Sequence, residues 1–285
     1  MAALSQDSCS VLINGEATRC VDFADRGLQY GDGVFTTLVV SQGVPLFLSR
    51  HLQRLQADAS RLGVPCPDWR VLQDEARRLS SLHPHSVLKI LLTRGAGGRG
   101  YRPPEPATGT RIISVNPLPD YPSELKERGV RARLCALRLG LNPRLAGIKH
   151  LNRLEQVLAR AEWQEEGVRE GLLLDYEGFL VEGVSSNVFL IQQGRLRTPR
   201  LDRCGVAGVM RALVLEAASD LGIPAEATRL LPEEAVDADE LFLTNSVIGI
   251  WPVRSLEGKS FPVGGITRQL ARRVEAMAAA ERQQP

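Results

Sequence analysis

Lysine is scarce in this chain. Only Lys89, Lys126, Lys149 and Lys259 stand against 31 arginines. A genome biased toward arginine produces such a ratio without functional cause, yet each lysine merits inspection, because a guanidinium cannot do the Schiff-base chemistry of an amine. Cysteine is sparse as well. The five (Cys9, Cys20, Cys66, Cys135 and Cys204) are odd in number and widely spaced, with no CxxC or Cys/His ligand pattern. Neither a disulfide framework nor a zinc site is indicated, and a reducing compartment fits. No apolar run is long enough to span a bilayer. Met1 to Ser10 lacks a basic start followed by an apolar stretch, so no signal peptide is expected. Excess charge is missing too: 35 basic against 33 acidic residues leave +2, which argues for neither nucleic acid nor a membrane surface as partner. These absences together point to the cytoplasm.

What is present is the make-up of a globular protein. With 44% hydrophobic and 24% charged residues over 285 positions, the chain is neither disordered nor fibrous, and it is long enough for two modest domains. Val11 to Asn14 reads as a strand ending in an Asn14-Gly15 turn. Val34 to Val40 and Val44 to Leu48 read as a hairpin about Ser41-Gln42-Gly43. Leu52, Leu55, Ala59 and Leu62 recur at helical spacing, and Gly63 supplies a stop. Val87 to Thr93 and Arg111 to Val115 look like further strands. Pro117, Pro119 and Pro122 then break regular structure, which places a domain boundary between Asn116 and Ser123. Residues 1–118 are expected to form an N-terminal α/β domain, 119–123 a linker, and 124–285 a C-terminal α/β domain carrying Lys149.

In that second part Leu151, Leu154, Leu158 and Ala161 suggest a helix ending near Gly167. Leu172 to Asp175, Phe179 to Val181 and Val188 to Gln192 suggest strands. Val206, Met210, Leu213, Ala217 and Leu221 suggest a helix stopped by Gly222, and Glu240 to Thr244 a short strand before an irregular segment. The irregular alternation indicates a mixed α/β (α+β) fold rather than a βαβ array.

Several segments carry chemistry, each with a plainer reading beside it. Gly95, Gly97 and Gly100 form a G-x-G-x-x-G after a strand, but Tyr101-Arg102-Pro103-Pro104 follows, and a dinucleotide site needs a helix there. What remains is a glycine-rich loop presenting Arg94, Arg99, Tyr101 and Arg102, either simply solvated or set to capture a carboxylate. Lys126 and Lys259 sit in polar surroundings, and Lys89 lies in a strand facing either way. Lys149 falls between a strand and an amphipathic helix, where partial desolvation would favour the neutral amine, although a lysine at a helix start is usually a surface charge. Glu182 follows a strand, suited to a buried pyridine nitrogen or merely to a turn. Gly205 to Met210 opens a helix whose free N–H groups suit a phosphate, or is a plain glycine-rich entry. Thr244-Asn245-Ser246 adds further donors. The four histidines show no metal-ligand spacing, so no metal is expected.

The order of these segments is itself informative. Asp25-Arg26-Gly27 through Gly31-Asp32-Gly33-Val34-Phe35, His51-Leu52-Gln53-Arg54-Leu55, the Lys149 segment, Glu182-Gly183-Val184-Ser185-Ser186-Asn187, and Glu240-Leu241-Phe242 through Pro252-Val253 together resemble the fold-type IV enzymes that use pyridoxal 5'-phosphate (PLP). These include branched-chain and D-amino acid aminotransferases and aminodeoxychorismate lyase. Phe35-Thr36-Thr37, Arg94 through Tyr101, and Leu145 through Leu154 look like the lyase branch.

The resemblance implies two α/β domains with PLP between them. It implies an imine to Lys149, Glu182 at the pyridine nitrogen, and a phosphate held by Arg54, the N–H groups of Val209 and Met210, and the Ser246 hydroxyl. It further implies that Phe35, Arg99 and Tyr101 bind substrate, with Lys149 and Thr37 moving protons. Phe35 and Thr37 stand two apart on one strand and therefore share a face. The reaction implied converts 4-amino-4-deoxychorismate to 4-aminobenzoate and pyruvate, in folate biosynthesis; a D-amino acid or branched-chain aminotransferase is the alternative. A homodimer is implied, with no nucleic acid or membrane partner.

Overall fold

The computed structural model describes residues 10–283. Cys9, and the Met1 to Cys9 stretch examined for a leader, lie outside them. The chain divides into two compact units. One runs to Pro119 and takes in Lys149–Asn152 and the chain from Ala278. The other comprises Asp120–Ile148 and Arg153–Met277.

The first unit is built from β1 (Val11–Ile13), α1 (Arg26–Tyr30), β2 (Gly33–Ser41), β3 (Val44–Pro45), α2 (Leu48–Leu62), α3 (Trp69–Leu82), β4 (His85–Thr93) and β5 (Thr110–Pro117). Its sheet runs β1-β5-β4-β2-β3 with every neighbour antiparallel. Along β2, Val34, Thr36, Leu38 and Val40 are buried while Phe35, Thr37 and Val39 are half-exposed. This alternation is the signature of a strand with one face on a core. α2 packs against β2 and buries Leu48, His51, Leu52, Leu55, Asp58 and Ala59. Each fully buried leucine is worth roughly 1.5–3 kcal/mol. Gly63 ends α2 at φ 65°, the left-handed conformation glycine adopts without a steric penalty.

The second unit contains α4 (Glu124–Arg128), β6 (Val130–Leu139), α5 (Leu154–Arg160), β7 (Val168–Asp175), β8 (Leu180–Gly183), β9 (Asn187–Gln192), β10 (Arg195–Pro199), α6 (Val209–Asp220), β11 (Ala225–Thr228), α7 (Pro232–Val236), β12 (Glu240–Asn245), β13 (Gly249–Leu256), β14 (Lys259–Ser260) and α8 (Gly265–Gln283). Its sheet order is β11-β10-β9-β12-β13-β6-β7-β8, with β14 added on β13. The β10/β11, β13/β6 and β6/β7 pairs are parallel and the others antiparallel. The central strands are apolar on both faces. Leu190 and Leu241 enter one cluster with Trp251 and Val253, while Phe189 stacks on Phe242 at 5.0 Å between ring centroids. A continuous apolar run is what a strand covered on both sides requires. No helix among the described residues is long and apolar enough to cross a membrane.

Three expectations change. The segment after Thr244 is not irregular, because β13 pairs with β12 through Trp251 and Pro252. Pro252 argues against a central strand, but the pairing of β13 with β6 begins only at Val253, opposite Val130, so the proline stands at the end of that ladder. The helix expected from Leu151 to Ala161 shrinks to α5, and Leu154, Val157 and Leu158 are exposed rather than buried. Lys149 was expected in the C-terminal domain, yet residues 149–152 pack with the first unit. The reason is local: Phe35 N donates to Lys149 O (3.0 Å), Leu151 N donates to Gly33 O (3.0 Å), and His150 bridges Val34, so the segment lies along β2.

Candidate active site

In the first unit, two hydrogen bonds fix the peptide of Lys149. Its carbonyl accepts from β2 at Phe35, and its N–H donates to Asp58 Oδ2 on α2 (3.1 Å). The side chain is half-buried, with Nζ 4.5 Å from the centroid of the Phe35 ring. Lys89 answers the question its strand left open. It is paired in register with Thr37, and its Nζ stands 5.1 Å from the same ring. Phe35, Thr37, Lys89 and Lys149 thus gather on one face of the sheet.

The opposite face of β2 meets Arg54. Arg54 Nη2 donates to Thr36 Oγ1 (2.6 Å), and that hydroxyl lies 2.6 Å from His51 Nδ1. Burial, reinforced by the cations Arg54 and Lys149, pushes the His51 pKa well below its ordinary value. The imidazole is therefore neutral, and it shares a hydrogen bond with the Thr36 hydroxyl. Burial also lowers the Arg54 pKa, with Asp58 opposing. Arg54 Nε makes no hydrogen bond among the described residues, and its carboxylate neighbour, Asp58 Oδ2, is 4.0 Å away. A buried guanidinium with an orphaned N–H suits an oxyanion such as a phosphate.

In the second unit, Glu182 is buried near the end of β8, opposite Leu173. Register against β7 shifts between Leu173 and Leu174, an irregularity of the kind that re-aims a side chain. Glu182 Oε2 accepts from Val206 N (2.8 Å). Gly205, at φ 82°, leaves no room for a Cβ, which would meet Val181 at 2.7 Å and Leu201 at 2.8 Å. Val206 in turn bridges Gly147 in parallel. Val209 and Met210 are the first two residues of α6, whose cap, Gly208, offers no side-chain acceptor. Their N–H groups have no partner within the helix, and the helix dipole favours an anion there. Ser246 sits in a turn held by Asn245, whose Oδ1 accepts from Val247 N (2.8 Å) and Ile248 N (2.9 Å).

The glycine-rich loop divides its arginines. Arg94 is not presented to a ligand: its guanidinium forks onto Asp32 (2.7 and 3.0 Å) and donates to the carbonyls of Gly63 and Leu62. Burial alone would raise the Asp32 pKa, but hydrogen bonds from Arg94 and Arg26 hold it below the usual carboxylate value. Arg26, to which the sequence reading gave no role, donates to the carbonyls of Gly100 and Tyr101 (3.0 and 3.1 Å) and so holds the loop. Arg99 and Tyr101 are exposed, Tyr101 at 85%. Asp58 was missed as well. No local pattern marks it, although it stands one helical turn beyond Arg54.

Comparison with known proteins identifies the family. The amino-transferase class IV family matches residues 33–256. The chain belongs to this family. It is 36% identical over 262 residues to an aminodeoxychorismate lyase of Vibrio harveyi, covering 90% of this chain and 97% of that protein. It is 47% identical to the crystal structure of a 4-amino-4-deoxychorismate lyase from Pseudomonas aeruginosa, with a TM-score of 0.90 over 93% of this chain and 98% of that one. A putative branched-chain-amino-acid aminotransferase of Methanocaldococcus jannaschii is 33% identical over 261 residues, 88% of each chain. The class IV fold is thus mixed α/β with two sheets, as expected.

Proposed function

We propose that this protein is a PLP-dependent lyase converting 4-amino-4-deoxychorismate to 4-aminobenzoate and pyruvate. The observation that carries the reading is the fixed peptide of Lys149, with its amine over Phe35 on the face that also holds Thr37 and Lys89. Identity of 36% and 47% to lyases supports it.

The residues fit the cofactor. In the first unit Arg54 would offer the phosphate a buried, incompletely bonded guanidinium; in the second, the N–H groups of Val209 and Met210 and the Ser246 hydroxyl are donors that would suit the same group. Glu182 keeps the ring nitrogen protonated. Bound through Lys149, PLP supplies an electron sink conjugated to the substrate amine. The Lys149 amine would take the proton from substrate C4. The Thr37 hydroxyl delivers a proton to the departing enol, and aromatisation drives the elimination. Lys89, with Arg99 and Tyr101, holds the substrate carboxylates, and Phe35 packs beneath.

The lyase acts as a homodimer in the cytoplasm. Phe23 at 82% exposure and Leu28 at 66% in the first unit, with Leu154, Val157 and Leu158 on α5 in the second, are apolar surfaces suited to a second copy. Cys20, Cys66, Cys135 and Cys204 are free thiols, consistent with a reducing compartment.

Incubation with aminodeoxychorismate tests the reaction: 4-aminobenzoate and pyruvate should form in equal amounts. Transamination of D-amino or branched-chain amino acids without lyase turnover would instead make the protein an aminotransferase, the reading the archaeal relative favours. Borohydride reduction followed by mass spectrometry should find the cofactor on Lys149.

A further inference from the structure

Glu170 on β7 is a buried carboxylate that the reaction above does not use. It collects four donors. Oε1 accepts from Gly171 N (3.1 Å), and Oε2 accepts from Ser185 N (3.2 Å), Ser185 Oγ (2.7 Å) and Ser186 Oγ (2.9 Å). These serines form the turn that leaves β8 directly after Glu182. The turn is closed further by Gly183 N donating to Ser186 O (2.7 Å) and Val184 N donating to Gly171 O (2.9 Å). A Cβ on Gly183 would come within 2.4 Å of Ser186 Oγ and 3.0 Å of Glu170 Cγ, so the carboxylate lies tight across the strand end. Successive side chains of β7 alternate in direction, so Glu170 and Leu172 share one face while Leu173, the register partner of Glu182, takes the other.

We propose that Glu170 is a positioning residue, clamping the Gly183–Ser186 turn from behind so that Glu182 is held in line with the pyridine nitrogen. The inference rests on the reading that Glu182 contacts that nitrogen. Its chemistry follows from the donors. Both carboxylate oxygens receive a backbone N–H, and a backbone N–H can only donate. Glutamine at 170 must therefore turn its own NH2 toward one of them, which breaks the clamp without a change of volume. Burial raises the Glu170 pKa while the serine and backbone bonds oppose it, a cost that four converging donors offset in part.

The test compares apoprotein affinity for PLP and for its carba analogue, in which C–H replaces the ring nitrogen. Wild type should bind PLP more tightly by about tenfold or more, the value of a charge-assisted hydrogen bond. In Glu170→Gln that preference should fall toward unity, with affinity for the analogue nearly unchanged. A preference equal to wild type, whether or not both affinities drop together, overturns the proposal, because general loosening weakens both ligands alike. Wild type without any preference removes the Glu182 reading, and this inference with it. Should Glu170→Gln fail to fold by circular dichroism, Ser185→Ala decides. It deletes one hydroxyl of the clamp at an exposed position and should reduce the preference by a smaller factor, and an unchanged preference refutes the clamp.

Discussion

Substitution of Arg54 by glutamine separates phosphate recognition from every other part of cofactor binding. Arg54 spends Nη2 on Thr36 (2.6 Å) and leaves Nε without a hydrogen bond; its side chain is only 14% exposed. The guanidinium therefore keeps donors for an anion in a place where solvent screens weakly. Two charge-assisted hydrogen bonds are worth about 1.5–3 kcal/mol each, and glutamine can return one neutral bond of about 1 kcal/mol. The net loss of about 2–5 kcal/mol corresponds to a drop in PLP affinity of roughly 30-fold to several thousand-fold. Pyridoxal, which has the aldehyde and ring but no phosphate, should bind the variant and wild type alike. The Lys149 N–H keeps its acceptor, since Asp58 is untouched, and the amine is still presented. Equilibrium titration of both ligands against apoprotein is the measurement. Equal losses for PLP and pyridoxal, or an unchanged PLP affinity, would show that Arg54 is structural and that the phosphate is held elsewhere.

Three further outcomes follow from the same geometry. Lys89→Met should lower kcat/KM for aminodeoxychorismate by about 10- to 150-fold, the value of a charged hydrogen bond, while PLP affinity holds; an unchanged kcat/KM removes Lys89 from the substrate site. Thr37→Val keeps the shape of the side chain and deletes its hydroxyl, so kcat should fall by about 10²–10⁴, the range for a lost proton donor, with cofactor content unaltered in the absorbance spectrum. His51 carries a pH signature: its folded pKa lies well below 6.5, so below that pH the unfolded chain binds a proton the folded chain refuses. Its contribution to stability is thus complete above about pH 6.5 and declines as pH falls, by at most about 1.4 kcal/mol per unit. His51→Asn should flatten thermal midpoints between pH 7 and 5.5, and a slope identical to wild type refutes the assignment.

The elements that periodicity marks are those with one covered face. β2 shows in the chain as a run of β-formers whose alternation appears only in its burial, and α2 shows its buried stripe through Leu52, Leu55 and Ala59 up to the Gly63 stop. α3 went unmarked because Leu72, Ala76 and Leu79 are diluted by arginine and polar neighbours. The stripe through Leu154 and Leu158 misled in the opposite way. Spacing reports that a helix has an apolar face but not that the same chain covers it, and here that face is exposed.

Site residues divide along the same line. The shared face of Phe35 and Thr37 needs only the period of two, so it is legible locally. Lys89 joins that face through a pairing with Thr37 across 52 positions, and nothing in the neighbourhood of either residue fixes that register. Arg94 presents the converse case. In the chain it is one more cation of a glycine-rich loop; Asp32, 62 positions away, takes its Nε and Nη2, and the carbonyls of Leu62 and Gly63 complete its removal from the ligand side. Composition and motif thus narrow which cations can meet a carboxylated substrate. The counter-ions folded against them decide which are free to do so: Asp32 takes Arg94, whereas Arg54 meets Asp58 only at 4.0 Å and keeps an unbonded Nε.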